Sequence, residues 1–153
     1  MTNITTIFGA LAAMTPEWSS DVAIKVWNGS TAGVIKATLP SASVPIRILT
    51  TTGDIEGRDF AFIALGKLSK VTWVIEDLLL MKAVAEGDSI KGVSAHLVQY
   101  CDSYITKLRD VRAPSASSHV LRANMKPGTY DWGDVRYFGV KVIVEVEEFQ
   151  SAA

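Results

Sequence analysis

The chain has 153 residues, 48% of them apolar and 20% charged, with 15 basic against 16 acidic side chains and a net charge of −1. That length matches one domain, able to bury roughly 70% of the surface its unfolded form exposes, and the composition is far from the polar, highly charged signature of disorder. The near-neutral balance, with a pI of about 6.1, excludes the standing basic stripe used to bind nucleic acid, and the lone Cys101 excludes an internal disulfide.

In chain order, Thr2 to Met14 predicts a short helix, ended at Thr15-Pro16 because proline disfavours helix in the residue before it. The same stretch has no basic leader, and its apolar run is broken by Thr5, Thr6 and Gly9, so no cleaved signal peptide is expected. No window offers the ~18 apolar residues needed to span a bilayer. Asn28-Gly29 is a turn dipeptide and predicts a hairpin of Val22–Val26 with Gly33–Thr38.

After Leu39-Pro40, the alternation of Val44, Ile46 and Ile48 with Pro45, Arg47 and Leu49 predicts a strand over 43–51, at an edge or a strand start because of Pro45. Thr52-Gly53-Asp54 reads as a turn. Asp59–Leu65 and Lys70–Lys82 read as a meander joined at Gly66-Lys67. In the second of these strands, Val71, Trp73, Ile75, Leu79 and Met81 share one face while Val74, Leu78 and Leu80 share the other, the pattern of a central strand.

Gly87-Asp88-Ser89 offers an N-cap to the strongest helix, over about 90–110. Its stripe of Ile90, Val93, Leu97, Cys101, Tyr104, Leu108 and Val111 at steps of three and four predicts packing on the sheet, with Cys101 as a buried thiol. A Ser/Ala/Pro loop follows, then a short strand over His119–Asn124. Lys126-Pro127-Gly128-Thr129-Tyr130-Asp131-Trp132-Gly133 reads as a turn-rich excursion. Asp134–Glu147 is the longest strand pattern, with Val140, Val142, Val144 and Val146 alternating against Lys141, Ile143, Glu145 and Glu147. Fourteen residues of strand reach roughly 45 Å, more than a core of this size requires. The expected fold is therefore a single α+β domain over residues 1–153, an antiparallel or mixed sheet with the long helix packed on it and an N-terminal helix.

Chemistry-bearing patterns are sparse. Gly53 to Gly57 lacks the Lys-Ser/Thr of a phosphate loop, and Gly66-Lys67 is followed by Leu68. One cysteine and two histidines fall short of a zinc shell, and His96 and Cys101 lie on different faces of their helix. Ser117 or Ser118 beside His119 lacks the strained elbow of a serine hydrolase. No catalytic residue, metal ligand or cofactor is therefore assigned, and the expectation is a protein that is not an enzyme.

Two features point to binding instead. Asp77 interrupts an apolar strand, so it either pairs with a base such as Arg47, Arg58 or Arg136 or sits at a subunit boundary. Tyr130, Trp132 and Tyr137 in a turn-rich segment resemble interface anchors. With Glu147 at the end of the last strand, Asp77, Tyr130, Trp132 and Tyr137 form the candidate subunit interface.

The order of elements resembles the tail terminator, or tail completion, proteins of long-tailed bacteriophages. The likeness rests on Leu39-Pro40 leading into Val44–Leu49, on Trp73-Val74-Ile75-Glu76-Asp77-Leu78-Leu79, on the helix Ile90–Asp110, and on Tyr137-Phe138-Gly139-Val140 running to Val146. The resemblance implies a virion subunit, made in the host cytoplasm, that assembles with itself as a ring, a hexamer in that family. The ring caps the tail tube, ends its polymerisation and offers a surface to the head connector. The implied partners are further copies of the chain, the tail tube protein and the head connector protein, with DNA passing through the ring, no membrane and no sequence-specific nucleic-acid contact. The alternatives are a head–tail connector (neck) subunit and a non-viral small-ligand-binding α+β protein, which needs a pocket lined by Trp73, Tyr104 and Phe138.

Overall fold

The computed structural model describes residues 4–18, 23–30, 35, 39–40, 43–51, 58–63, 68–86 and 90–151. Helix α1 (Ile4–Ala13) is followed by strands β1 (Lys25–Asn28), β2 (Ile46–Thr51), β3 (Arg58–Ile63) and β4 (Leu68–Ala83). A single 3-10 turn leads to helix α2 (Ile90–Asp110), and β5 (Ser118–Trp132) and β6 (Val135–Ser151) complete the chain. The protein is α+β, as the periodicities require. The turn at Thr52–Asp54, the Gly53–Gly57 stretch, the Gly66-Lys67 connection, the Gly87–Ser89 cap and nearly all of the Gly33–Thr38 arm lie outside the described residues.

The strands form one mixed sheet in the order β1-β2-β4-β6-β5, with β3 paired to β4. β4 is central: one end of it pairs with β3 from Leu68 to Trp73, the other with β2 from Ile75 to Leu80, and its opposite edge runs along β6. A strand so enclosed must be apolar on both faces. Val71, Trp73, Ile75, Leu79 and Met81 join the main core, while Leu78 and Leu80 join a second cluster with Ile46, Ile48 and Tyr137.

The main core is covered by both helices. Ile7, Phe8, Leu11 and Met14 pack from α1 and its exit, and Val93, Leu97, Tyr100 and Tyr104 from α2, on Val140, Val142, Val144 and Val146 of β6, which are all 0% exposed. Those four valines lie two residues apart, so the pleat sends them to one face. The second cluster lies on the other face, where Trp27, Leu39, Val44, Tyr130 and Trp132 pack partly buried against it.

β1 turns at Asn28-Gly29, where Asn28 Oδ1 accepts the Ser30 amide at 2.9 Å, and one side of it pairs with β2, in parallel from Lys25↔Ile46 to Asn28↔Leu49; the second arm of the expected hairpin, Gly33–Thr38, lies outside the described residues except for Ile35. Gly29 donates its amide to Leu49 O at 2.8 Å, and a Cβ at Gly29 would collide with that carbonyl, so the glycine serves a close approach to β2 as well as a turn. The excursion over Lys126–Gly133 is strand as far as Trp132, not loop. The pairing runs without a break from Arg122↔Glu145 to Trp132↔Val135, leaving Gly133-Asp134 as the turn, with Gly133 at φ 60°. Pro127 and Gly128 read as punctuation in sequence, yet β5 is the outermost strand of the sheet, where a residue without an N–H costs no ladder bond.

Candidate functional site

Arg47 and Asp77 meet at the centre of the molecule. They lie on neighbouring strands, pairing in register with Leu79 and Leu49 respectively, and both side chains point to the helix face. Arg47 Nη2 reaches Asp77 Oδ2 at 2.5 Å and Nε reaches Oδ1 at 3.3 Å, with side chains 1% and 0% exposed. Tyr104 of α2 donates its hydroxyl to Asp77 Oδ2 at 2.7 Å, and the Arg47 guanidinium lies 5.7 Å from the centre of the Tyr104 ring. Two further donors of Arg47 go to main-chain carbonyls: Nη1 to Met14 O at 2.9 Å and Nη2 to Leu11 O at 3.0 Å. The last carbonyls of a helix have no partner within it, so Arg47 closes the C-terminal end of α1 and ties it to the sheet.

Burial opposes the charge on Arg47, but the charge and hydrogen bonding of the Asp77 carboxylate, together with Tyr100 and Tyr104, outweigh it and hold the guanidinium above its usual range. Burial, reinforced by the same carboxylate, pushes the Tyr100 and Tyr104 hydroxyls well above the ordinary phenol range. Tyr100 packs against Tyr104 with ring centres 5.9 Å apart, and its hydroxyl has no hydrogen-bond partner among the described residues. The cluster is closed to solvent, and its chemistry is that of an anchor: two helices and two strands are held by one fully ion-paired arginine.

Asp77 therefore does not belong to a subunit interface. Its carboxylate is satisfied inside one chain, by Arg47 of the three bases considered. Arg136 pairs instead with Asp131 at 3.0 Å on the surface. Tyr137 is likewise 3% exposed in the second cluster, because residue 137 falls on the inward side of β6 at that end. Tyr130 and Trp132 lie beside it, half-buried, on the same face. The Tyr130 hydroxyl donates to Lys126 O, and Lys141 Nζ stands 5.3 Å over its ring.

Glu147 is ten residues further along β6, roughly 33 Å away by strand rise, with Lys70 Nζ at 3.4 Å and His119 Nε2 at 3.5 Å. The five candidates thus separate into a hairpin tip (Tyr130, Trp132, Tyr137), a buried anchor (Asp77) and a distant charged end (Glu147).

A second buried polar contact went unread in the sequence. Glu148, 0% exposed, accepts the Trp73 indole N–H at 2.8 Å, although it neighbours Glu147 on the solvent-facing side. The strand alternation carries the signal: Glu148 shares its face with Val146 and Val144. Tyr100 was missed as well, although it lies four residues before Tyr104 and so on the same helix face. Trp73, Tyr104 and Phe138, which a ligand pocket behind α2 would need, are 8%, 0% and 3% exposed and belong to the main core.

Ser118 is buried, with its hydroxyl 2.5 Å from that of Ser115, while the exposed His119 stacks 6.0 Å from Phe149; adjacent strand residues face opposite sides, so Ser118 and His119 do not meet. Among the described residues, no three His, Cys, Asp or Glu side chains gather closely enough to hold a metal ion, and no helix is long and apolar enough to cross a membrane.

On the outer strand pair, Arg122 grips Glu145 with Nε–Oε2 at 2.6 Å and Nη2–Oε1 at 3.0 Å. This hydrogen bonding holds the Glu145 carboxyl below the usual carboxylate range. A lowered folded-state value makes the contribution to stability present above the unfolded pKa and lost as pH falls through the folded one, so the pair weakens only in acid, below the ordinary carboxylate range. In an NMR pH titration the Glu145 carboxyl carbon is expected to titrate upward towards the ordinary range in Arg122→Ala; an unchanged midpoint would assign the shift to another cause.

Compared with models of protein families and with curated proteins, the chain matches none of them.

Proposed function

We propose that the chain is a ring-forming virion subunit that caps a phage tail tube, ends its polymerisation and offers the head connector a joining surface. The observation that carries this reading is the β5–β6 ladder. It spans 15 and 17 residues, well above the usual strand of five or six, and among the described residues β5 pairs with β6 alone. The half-buried aromatic pair Tyr130 and Trp132 at the tip of this long hairpin is the type of side chain that anchors subunit contacts. In a closed ring each copy offers one surface to the next, and the hairpin and the β1 side of the sheet are two such surfaces on opposite edges.

The test is the mass of the purified chain by light scattering, with negative-stain images of the same peak. Closed rings of several copies are the expected result. A monomer at the highest soluble concentration, without rings on the grid, overturns the reading. Tyr130→Ala with Trp132→Ala is expected to shift the mass towards the monomer while leaving the far-UV circular dichroism unchanged; an unaltered ring would remove the hairpin tip from the interface.

A further inference from the structure

The outer edge of β5 carries a more specific message than its length. Pro127 has no N–H, and in a strand it fits only where its nitrogen faces away from the ladder. Along an antiparallel strand the main-chain groups face alternately towards and away from the neighbour. Ala123 and Met125, four and two residues before Pro127, therefore turn their N–H and C=O groups to the open edge as well. Edges are normally blunted by bulges, prolines and charges. Here a bulge lies between Val120 and Arg122 and Pro127 lies just beyond Met125, so the stretch between them is a short open landing with both ends marked.

The same two residues send their side chains to the helix side of the sheet, into a cleft of about 290 Å3 walled by Ile105 and Leu108 of α2 and rimmed by Arg109 and Arg112. Val98 and Ile105, seven residues and so two turns apart on one flank of α2, remain 63% and 40% exposed. Arg109, Arg112 and Lys126 have no ion-pair partner among the described residues. On the inner edge of β5, β6 sends Val144 and Val142 to the helix side beside Ala123 and Met125, and Glu145 to the opposite face, where Arg122 holds it.

We propose that the β5 edge between the bulge and Pro127 is a docking site for an extended segment of a partner protein in which apolar residues alternate with acidic ones. The segment adds as a further strand. Its main chain bonds to Ala123 and Met125, and its apolar side chains enter the cleft against Ile105. The alternate carboxylates lie on the opposite face near Arg122 and Lys126, while an acidic residue at the segment's end reaches Arg109 and Arg112. This site goes beyond ring formation and does not depend on it, since a monomer carries the same edge.

Binding of an end-blocked, fluorescently labelled peptide, Glu-Val-Glu-Val-Glu-Val-Glu, to the full chain tests the proposal by anisotropy, with a Lys-Val peptide of equal length and an N-methylated Glu-Val peptide as controls. The Glu-Val peptide is expected to bind at least tenfold more tightly than either control. Ile105→Asp, and separately Arg109→Glu with Arg112→Glu, are expected to weaken it at least tenfold; both alter exposed positions, and their melting curves verify the fold. Equal affinity for the Glu-Val and Lys-Val peptides, or undiminished binding to Ile105→Asp, overturns the proposal. If Ile105→Asp instead disperses a self-assembled species with which the peptide does not compete, the occupant is a second copy of the chain, and the proposal is equally overturned. Ring mass from light scattering reports separately on the assembly reading, so the two can fail independently.

Discussion

Asp77→Ala is expected to destabilise the chain by about 3–5 kcal/mol, the cost of breaking a buried ion pair and leaving the other charge without its partner. Arg47 would then sit 1% exposed, still bonded to Leu11 O and Met14 O but facing an empty place where two carboxylate contacts and the Tyr104 hydroxyl had met. Replacing both charges together, as Arg47→Met with Asp77→Leu, is expected to cost less than Asp77→Ala alone, because desolvation of the pair offsets much of its mutual attraction. Urea-denaturation midpoints give the comparison. The double variant also removes the clamp on α1, so amide hydrogen exchange over α1 should accelerate more than over β4. A double variant no more stable than Asp77→Ala would mean that Arg47 is accommodated by something other than this carboxylate.

Trp73→Ala is expected to cost a similar amount, about 3–5 kcal/mol for truncating a buried tryptophan, for two reasons that a milder variant separates. The indole fills the main core against β6, where Trp73 pairs with Val146, and its N–H is a donor to Glu148. Trp73→Phe keeps most of the volume and removes that donor from a fully buried acceptor, a loss of about 1–3 kcal/mol. The difference between the two variants isolates the cavity. Should Trp73→Phe prove neutral, the hydrogen bond to Glu148 contributes nothing net to the fold.

Much of the fold was legible because hydrophobic period is a local property. The double-sided apolar run of β4 announced a central strand, the three- and four-residue spacing of α2 announced its covering face, and the alternating valines of β6 announced one dry side; all three have that form. What misled was local chemistry whose meaning depends on place. Pro127-Gly128 signals a turn unless the strand is outermost, as β5 is among the described strands. For the candidate site, Asp77 was picked out correctly as a costly residue in an apolar strand. Which of three arginines would satisfy it was not readable, and neither was the hydroxyl that Tyr104 brings to it.

By itself, then, the amino-acid sequence determined the element types, the two faces of β4 and the need for Asp77 to find either a cation or a subunit boundary, because each follows from side-chain spacing along a few turns or pleats. Only the tertiary structure decided that the cation is Arg47, that Arg47 also closes α1, that Tyr137 turns inward, and that β5 stands at the edge with one side of its backbone open. Those outcomes rest on contacts between residues that lie tens of positions apart in the chain, 30 in the case of Arg47 and Asp77, and on which strand takes which neighbour.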